Sequence, residues 1–218
     1  MSQAPVGSLK LASLLLQYPT AELCAAAAAV EEDHLRALGK RRSGLEELLR
    51  WYTTAPLGEL QSTYVETFDF SRQRSLHVTY HLHGDRRQRG IALLRLKQAY
   101  AAAGLEPDPR ELPDYLPMML EFATLVSAEI GRQLLDEQRI AIELIRASLR
   151  RDASRFTIVF DLIADQLPGL SSRQIGRLKR AAAAGPPTEQ VGLEPFAPPE
   201  VIPDGSETPA LPLVGGSS

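Results

Sequence analysis

Cysteine occurs once in these 218 residues, at position 24. A lone cysteine closes no internal disulfide, and Cys24 stands in an alanine-rich run, AELCAAAAA, where a small buried hydrophobe suits its surroundings better than a reactive thiol. No apolar stretch reaches the roughly 18 residues needed to cross a bilayer. The start, MSQAPVGSLKLASLLLQYP, lacks the ordered charged segment, long apolar block and cleavage site of a secretory leader. The expectation is a cytoplasmic protein with no membrane span. GxSxG, HExxH, GxGxxG and a phosphate-binding glycine loop are all missing. So are strand signals at regular spacing. The net charge is −3 and no nucleic-acid motif is present, which argues against nucleic acid as a partner.

What the chain does have is helical periodicity. Leu11, Leu14, Leu15 and Tyr18 fall three and four apart, as do Leu45, Leu48, Leu49 and Tyr52, and again Phe156, Val159, Phe160, Ile163 and Leu167. Leu135, Ile142 and Leu149 recur at sevens within a long run of good helix formers, 127–151. In DRRQRGIALLRLKQAYAAAG, Asp85 as N-cap, Gln88 at the third position and Gly104 as a stop bracket one more helix. These patterns predict an all-α, single-domain bundle of about eight to ten helices over residues 1–185. From residue 186 the composition changes. Eight of the 16 prolines lie there with five acidic residues and no lysine or arginine. That composition predicts a disordered, Pro-rich acidic tail over 186–218.

The chain's charge is uneven. Between Ser71 and Tyr100 stand seven arginines and lysines against one acid, Asp85. Arg86, Arg87 and Arg89 form the centre of this basic patch. It suits phosphate or an acidic surface, or else its members pair with acids elsewhere.

Three of the four histidines crowd into SLHVTYHLHGD: His77, His81 and His83. As a strand, this alternating stretch would put all three on one face, in reach of one metal. As a helix, His83 points away from His81 and at most two share a metal. A strand needs a partner for its backbone groups, and VETFDF, the only candidate, lacks alternation. Helix is therefore expected, with the histidines as hydrogen-bonding residues and no bound metal. The alternative is a metal-dependent enzyme or metal carrier built on the His77, His81 and His83 cluster.

Two blocks, YVETFDFSRQRSLHVTYHLHGDRRQRGIALLRLKQAYAAAGLEP and ELPDYLPMMLEFA, closely resemble the nitrate reductase delta-subunit (NarJ) family of molybdenum-cofactor assembly chaperones. That family lies within the all-helical TorD/DmsD group. The resemblance runs in order over Leu9 to Arg151 and is most specific over Tyr64 to Ala123. Residue by residue, a YxxTFDF element matches Tyr64, Thr67, Phe68, Asp69 and Phe70, and an HGD turn matches His83, Gly84 and Asp85. An E-x-P-D-H-L-P element matches Glu111, Pro113, Asp114, Leu116 and Pro117, with Tyr115 where the family usually has histidine. Only histidine titrates near neutrality, so any pH-dependent role of that position is in doubt here.

The resemblance implies a protein that is not an enzyme. Its partner would be the N-terminal segment of the nitrate reductase catalytic (alpha) subunit. It would hold that subunit while bis-molybdopterin guanine dinucleotide is inserted, delay its docking on the membrane anchor, and stay out of the finished enzyme. No cofactor would be stably bound to the chaperone itself. An amphipathic partner helix would lie in a groove lined by Tyr64, Phe68, Leu116 and Leu120, beside Tyr115. Asp69, Glu111, Asp114 and Glu121 would meet its basic residues. For Tyr64 and Phe68, one turn apart, packing in the core is the competing expectation. For Asp114 the competing role is N-cap of a helix over Tyr115 to Leu125.

Overall fold

The computed structural model describes residues 7–30, 32–84 and 87–185. The expected cap Asp85, the basic residue Arg86 and the acidic tail 186–218 lie outside the described residues. Among the described residues there are twelve α-helices and no strand longer than a single bridge. They are α1 (Gly7–Leu15), α2 (Ala21–Ala28), α3 (Glu32–Ala37), α4 (Arg42–Thr54), α5 (Leu57–Tyr64), α6 (Tyr80–His83), α7 (Arg87–Ala102), α8 (Leu116–Leu125), α9 (Ala128–Glu137), α10 (Arg139–Arg151), α11 (Thr157–Asp165) and α12 (Ser172–Ala184). The number exceeds the expected eight to ten for local reasons. The run 127–151 breaks at Gln138, whose backbone (φ −95, ψ 8) leaves the helical region and separates α9 from α10. The one-turn α6 is also too short to leave a periodic trace.

The periodic residues of α4 and α11 face inward as their spacing demands, whereas Tyr18 of the first stripe lies beyond α1 and is 46 % exposed. Leu45, Leu48, Leu49 and Tyr52 are buried along α4, and Val159, Phe160 and Ile163 along α11. Leu135, Ile142 and Leu149 are fully buried although they belong to two helices. Helix α1 packs on α8 and α11, α8 on α9, and α10 on α11 and α12. Gly131 lets α9 cross α8 closely, because a Cβ there would stand 2.6 Å from the Ala123 carbonyl oxygen. Aromatic residues are few, yet one cluster gathers several of them: Phe68 lies 4.8 Å from Phe156 and 5.0 Å from Tyr64, and Trp51 lies 6.1 Å from Phe156.

The helix ends are satisfied by specific partners. The C-terminus of α1 is buried, and its last carbonyls have no partner within the helix. The Tyr52 hydroxyl donates to the Leu15 carbonyl and the Tyr64 hydroxyl to the Leu16 carbonyl, each at 3.0 Å. Helix α7 stops at Gly104 as predicted. The glycine adopts φ +72, Leu105 N–H donates back to the Tyr100 carbonyl, and Gly104 N–H donates to the Ala101 carbonyl. Helix α12 opens with a reciprocal cap between Ser171 and Gln174. Helix α5 does not end cleanly. It widens into a π turn over Val65–Asp69, closed by Phe70 N–H donating to the Val65 carbonyl. Thr67 and Phe68 turn inward from this turn, while Asp69 and Phe70 turn out.

Candidate functional site

The ELPDYLP segment is anchored from three sides. Asp114 is fully buried, and its carboxylate can only accept. His77 Nδ1 lies 3.1 Å from one oxygen, which places the imidazole proton on Nδ1. The other oxygen accepts from the Thr79 hydroxyl and the Thr79 N–H, and Arg89 Nη2 stands 3.5 Å from it. Burial alone would raise this carboxyl. The bonds from His77 and Thr79 and the charges of His77 and Arg89 outweigh it and hold the group below its ordinary value. The backbone reinforces the side chains. Val78 N–H donates to the Asp114 carbonyl, Leu116 N–H to the Leu76 carbonyl, and the Tyr100 hydroxyl to the Pro113 carbonyl at 2.7 Å.

This arrangement corrects two expectations. Asp114 does not cap α8. The N-cap is Tyr115, which makes no side-chain cap bond, and the Asp114 carboxylate is turned toward the histidine stretch. The histidine stretch, in turn, is helical only over Tyr80–His83. Its earlier part forms an isolated antiparallel bridge, His77 to Tyr115. The alternation there reports real burial, since Leu76, Val78 and Tyr80 all face the core. The strand partner is the segment around Tyr115, far along the chain, rather than VETFDF.

The three histidines do not converge. His77 serves Asp114, and His81 Nε2 donates to the Ser75 carbonyl at 2.8 Å. Burial pushes the His81 imidazole below its usual value, so it is neutral at pH 7. His83 is also lowered, by partial burial and then by the charge of Arg177. Among the described residues no three histidine, cysteine or carboxylate groups are placed to hold a metal ion. Of the basic patch, Arg87 is exposed. Arg89 points inward, with its guanidinium 5.8 Å from the Tyr80 ring centroid and beside Asp114.

A groove of about 620 Å³ opens beside this anchored segment. Its apolar wall is made by Tyr18, Leu105, Pro107, Met118, Phe122 and Leu125, and its polar rim by Glu106, Asp108, Glu111 and Glu121, with Tyr115 between. Among the described residues, no lysine or arginine lines it. Lys10 pairs with Glu121 and Arg110 with Asp108 from outside the lining, both at exposed positions. Arg110 holds the Asp108 carboxyl down at about 2, so it stays ionised. Of the nine expected contact residues, Glu111, Tyr115 and Glu121 line the groove. Tyr64, Phe68, Leu116 and Leu120 do not, because each is at least 96 % buried and packs in the core. Asp69 is exposed nearby, and its charge bears on both Tyr64 and Tyr115. The phenol of Tyr115 is raised, first by burial and further by Glu111 and Asp69, against the lowering effect of its bond with Tyr64.

Sequence reasoning did not single out Tyr18, Met118 or Leu125 as surface residues. A trace was present. Met118, Glu121 and Leu125 follow i, i+3, i+7 on α8, a second stripe opposite the one that holds Leu116 and Leu120. Leu125 is 63 % exposed and Tyr18 46 %. Among the described residues, Phe70, at 81 %, is the most exposed of the large apolar residues.

Fold and groove together define an all-helical protein with an acid-rimmed apolar surface and, among the described residues, no helix long and apolar enough to cross a membrane. Comparison with known proteins narrows the class. Residues 31–160 match the family model described as nitrate reductase delta subunit. The probable nitrate reductase molybdenum cofactor assembly chaperone NarJ of Bacillus subtilis (strain 168) is 32 % identical over 169 residues, 74 % of this chain and 89 % of that protein. The nitrate reductase molybdenum cofactor assembly chaperone NarJ of Escherichia coli (strain K12) is 36 % identical over 166 residues, 71 % of this chain and 67 % of that protein. The probable chaperone NarW of the same strain is 31 % identical over 163 residues. The chain belongs to the nitrate reductase delta subunit family of molybdenum cofactor assembly chaperones, and its role is that of a chaperone rather than an enzyme.

Proposed function

We propose that this protein binds the N-terminal segment of the nitrate reductase catalytic (alpha) subunit in the groove beside Tyr115. It holds that subunit while bis-molybdopterin guanine dinucleotide is inserted, and releases it before the subunit docks on its membrane anchor. The cofactor is cargo for the partner and is not stably held by this chain. The observation that carries the reading is the groove itself: apolar walls from Tyr18, Met118 and Leu125 beside four carboxylates, with no basic residue in the lining among the described residues. An amphipathic helix with basic flanks is complementary to such a surface. The family relationship supports nitrate reductase as the source of the partner.

The test is a calorimetric titration of the full chain with a peptide of the partner's first residues. Saturable binding with a negative heat-capacity change, abolished by Leu125→Glu, is expected. No binding at high protein concentration, or unchanged binding by Leu125→Glu, contradicts the reading.

A further inference from the structure

Proton order in one hydrogen-bond chain limits what the groove can recognise. The Tyr64 hydroxyl is 3.0 Å from the Leu16 carbonyl and 3.2 Å from the Tyr115 hydroxyl. A carbonyl only accepts, and a phenol carries one hydrogen. Tyr64 therefore directs its hydrogen to Leu16, and the Tyr115 hydrogen must point to the Tyr64 oxygen. Leu16 is fully buried and Tyr64 is 4 % exposed, so solvent does not compete for either bond. Tyr115, which lines the groove, is left able to accept a hydrogen bond there and unable to donate one.

We propose that Tyr115 is a specificity-determining residue that accepts a hydrogen bond from a cationic donor, lysine or arginine, on the bound segment. Tyr64 is the positioning residue that fixes this polarity. The inference rests on the groove being the peptide site, as proposed above. The surroundings agree with it. The groove's carboxylates are Glu106, Asp108, Glu111 and Glu121, all acceptors when ionised. Asp69 lies close enough to act on both phenols. A donor on the ligand meets the four carboxylates and the Tyr115 oxygen, while Gln17 and Tyr18, also in the lining, can donate as well as accept. An acceptor on the ligand, such as glutamate, meets no donor from Tyr115 and faces like charge.

The experiment is a set of double-mutant cycles by calorimetry with the full-length chain. Wild type, Tyr115→Phe and Tyr64→Phe are each titrated with the partner's N-terminal peptide. The same three are titrated with peptides in which each lysine or arginine is replaced in turn by norleucine or by glutamate. Melting curves confirm that each variant is folded. At one basic position, norleucine should weaken wild-type binding roughly tenfold, the scale of a hydrogen bond to a charged group. Tyr115→Phe should erase most of that difference. Tyr64→Phe frees the Tyr115 hydrogen, so it should reduce the penalty for glutamate at the same position, a change that simple loosening of the fold does not produce. If wild type binds but every basic position is additive with Tyr115→Phe within twofold, the inference is overturned and the groove reading stands. An unchanged glutamate penalty in Tyr64→Phe overturns the role given to Tyr64. If wild type does not bind the parent peptide, the groove reading falls and this inference falls with it.

Discussion

Replacing Asp114 by alanine should destabilise the protein more than any change on the groove rim. The substitution removes the acceptor for His77 Nδ1 and for the Thr79 hydroxyl and N–H, and it takes the counter-charge from Arg89. Hydrogen bonds to a charged group contribute about 1.5–3 kcal/mol each. Two close ones here suggest about 3–5 kcal/mol, in line with breaking a buried charged cluster. For a chain of this size that corresponds to a fall in Tm of roughly 6–20 °C. The pH dependence has a defined sign. The folded carboxyl lies below its ordinary value, so its contribution is complete above the unfolded carboxylate range near pH 4. It is lost as the pH falls through the lower folded value. Thermal melts of wild type and Asp114→Ala at pH 7 and at decreasing pH test this. The difference in Tm should narrow as acid protonates the wild-type carboxylate. A drop smaller than about 1 kcal/mol at pH 7, or a gap that widens in acid, would refute the assignment of Asp114 as the anchor of the loop.

Other substitutions separate fold from groove. Gly131→Ala should cost about 1–3 kcal/mol in denaturant unfolding, because its Cβ would press on the Ala123 backbone and push α9 off α8. Tyr52→Phe leaves the Leu15 carbonyl of α1 unpaired in the interior and should cost about 1–3 kcal/mol, measured the same way. Met118→Glu should leave Tm nearly unchanged while removing peptide binding, since Met118 lines the groove and is only partly buried. Peptide affinity should fall as salt rises, and Glu111→Gln should flatten that dependence in titrations at two ionic strengths.

Most of the fold is legible in the sequence because helical burial is a local, periodic property. Leu45, Leu48, Leu49 and Tyr52 are inward simply because they share one helical face. The stretch from Ser75 to Thr79 is different. Its alternation correctly marks Leu76 and Val78 as buried, but the partner of its bridge is Tyr115, and nothing local in either segment announces that pairing. Part of the groove was legible in the sequence. Glu111, Tyr115 and Glu121 do line the groove. Tyr64, Phe68, Leu116 and Leu120 have the spacing and character of a binding face, yet α1 and the Phe156 end of α11 cover that face. Spacing tells which residues share a face and cannot tell which face another helix will cover. The same limit hid Met118 and Leu125, which became groove residues only because the second stripe of α8 was left open.

The most direct test of the groove as the peptide site is hydrogen exchange of the full chain with and without the partner's N-terminal peptide. Binding there predicts slowed exchange over residues 105–125 and just after α1 around Tyr18, with the exposed α12 unaffected. Protection confined to α10 and α12, with residues 105–125 unchanged, would contradict it.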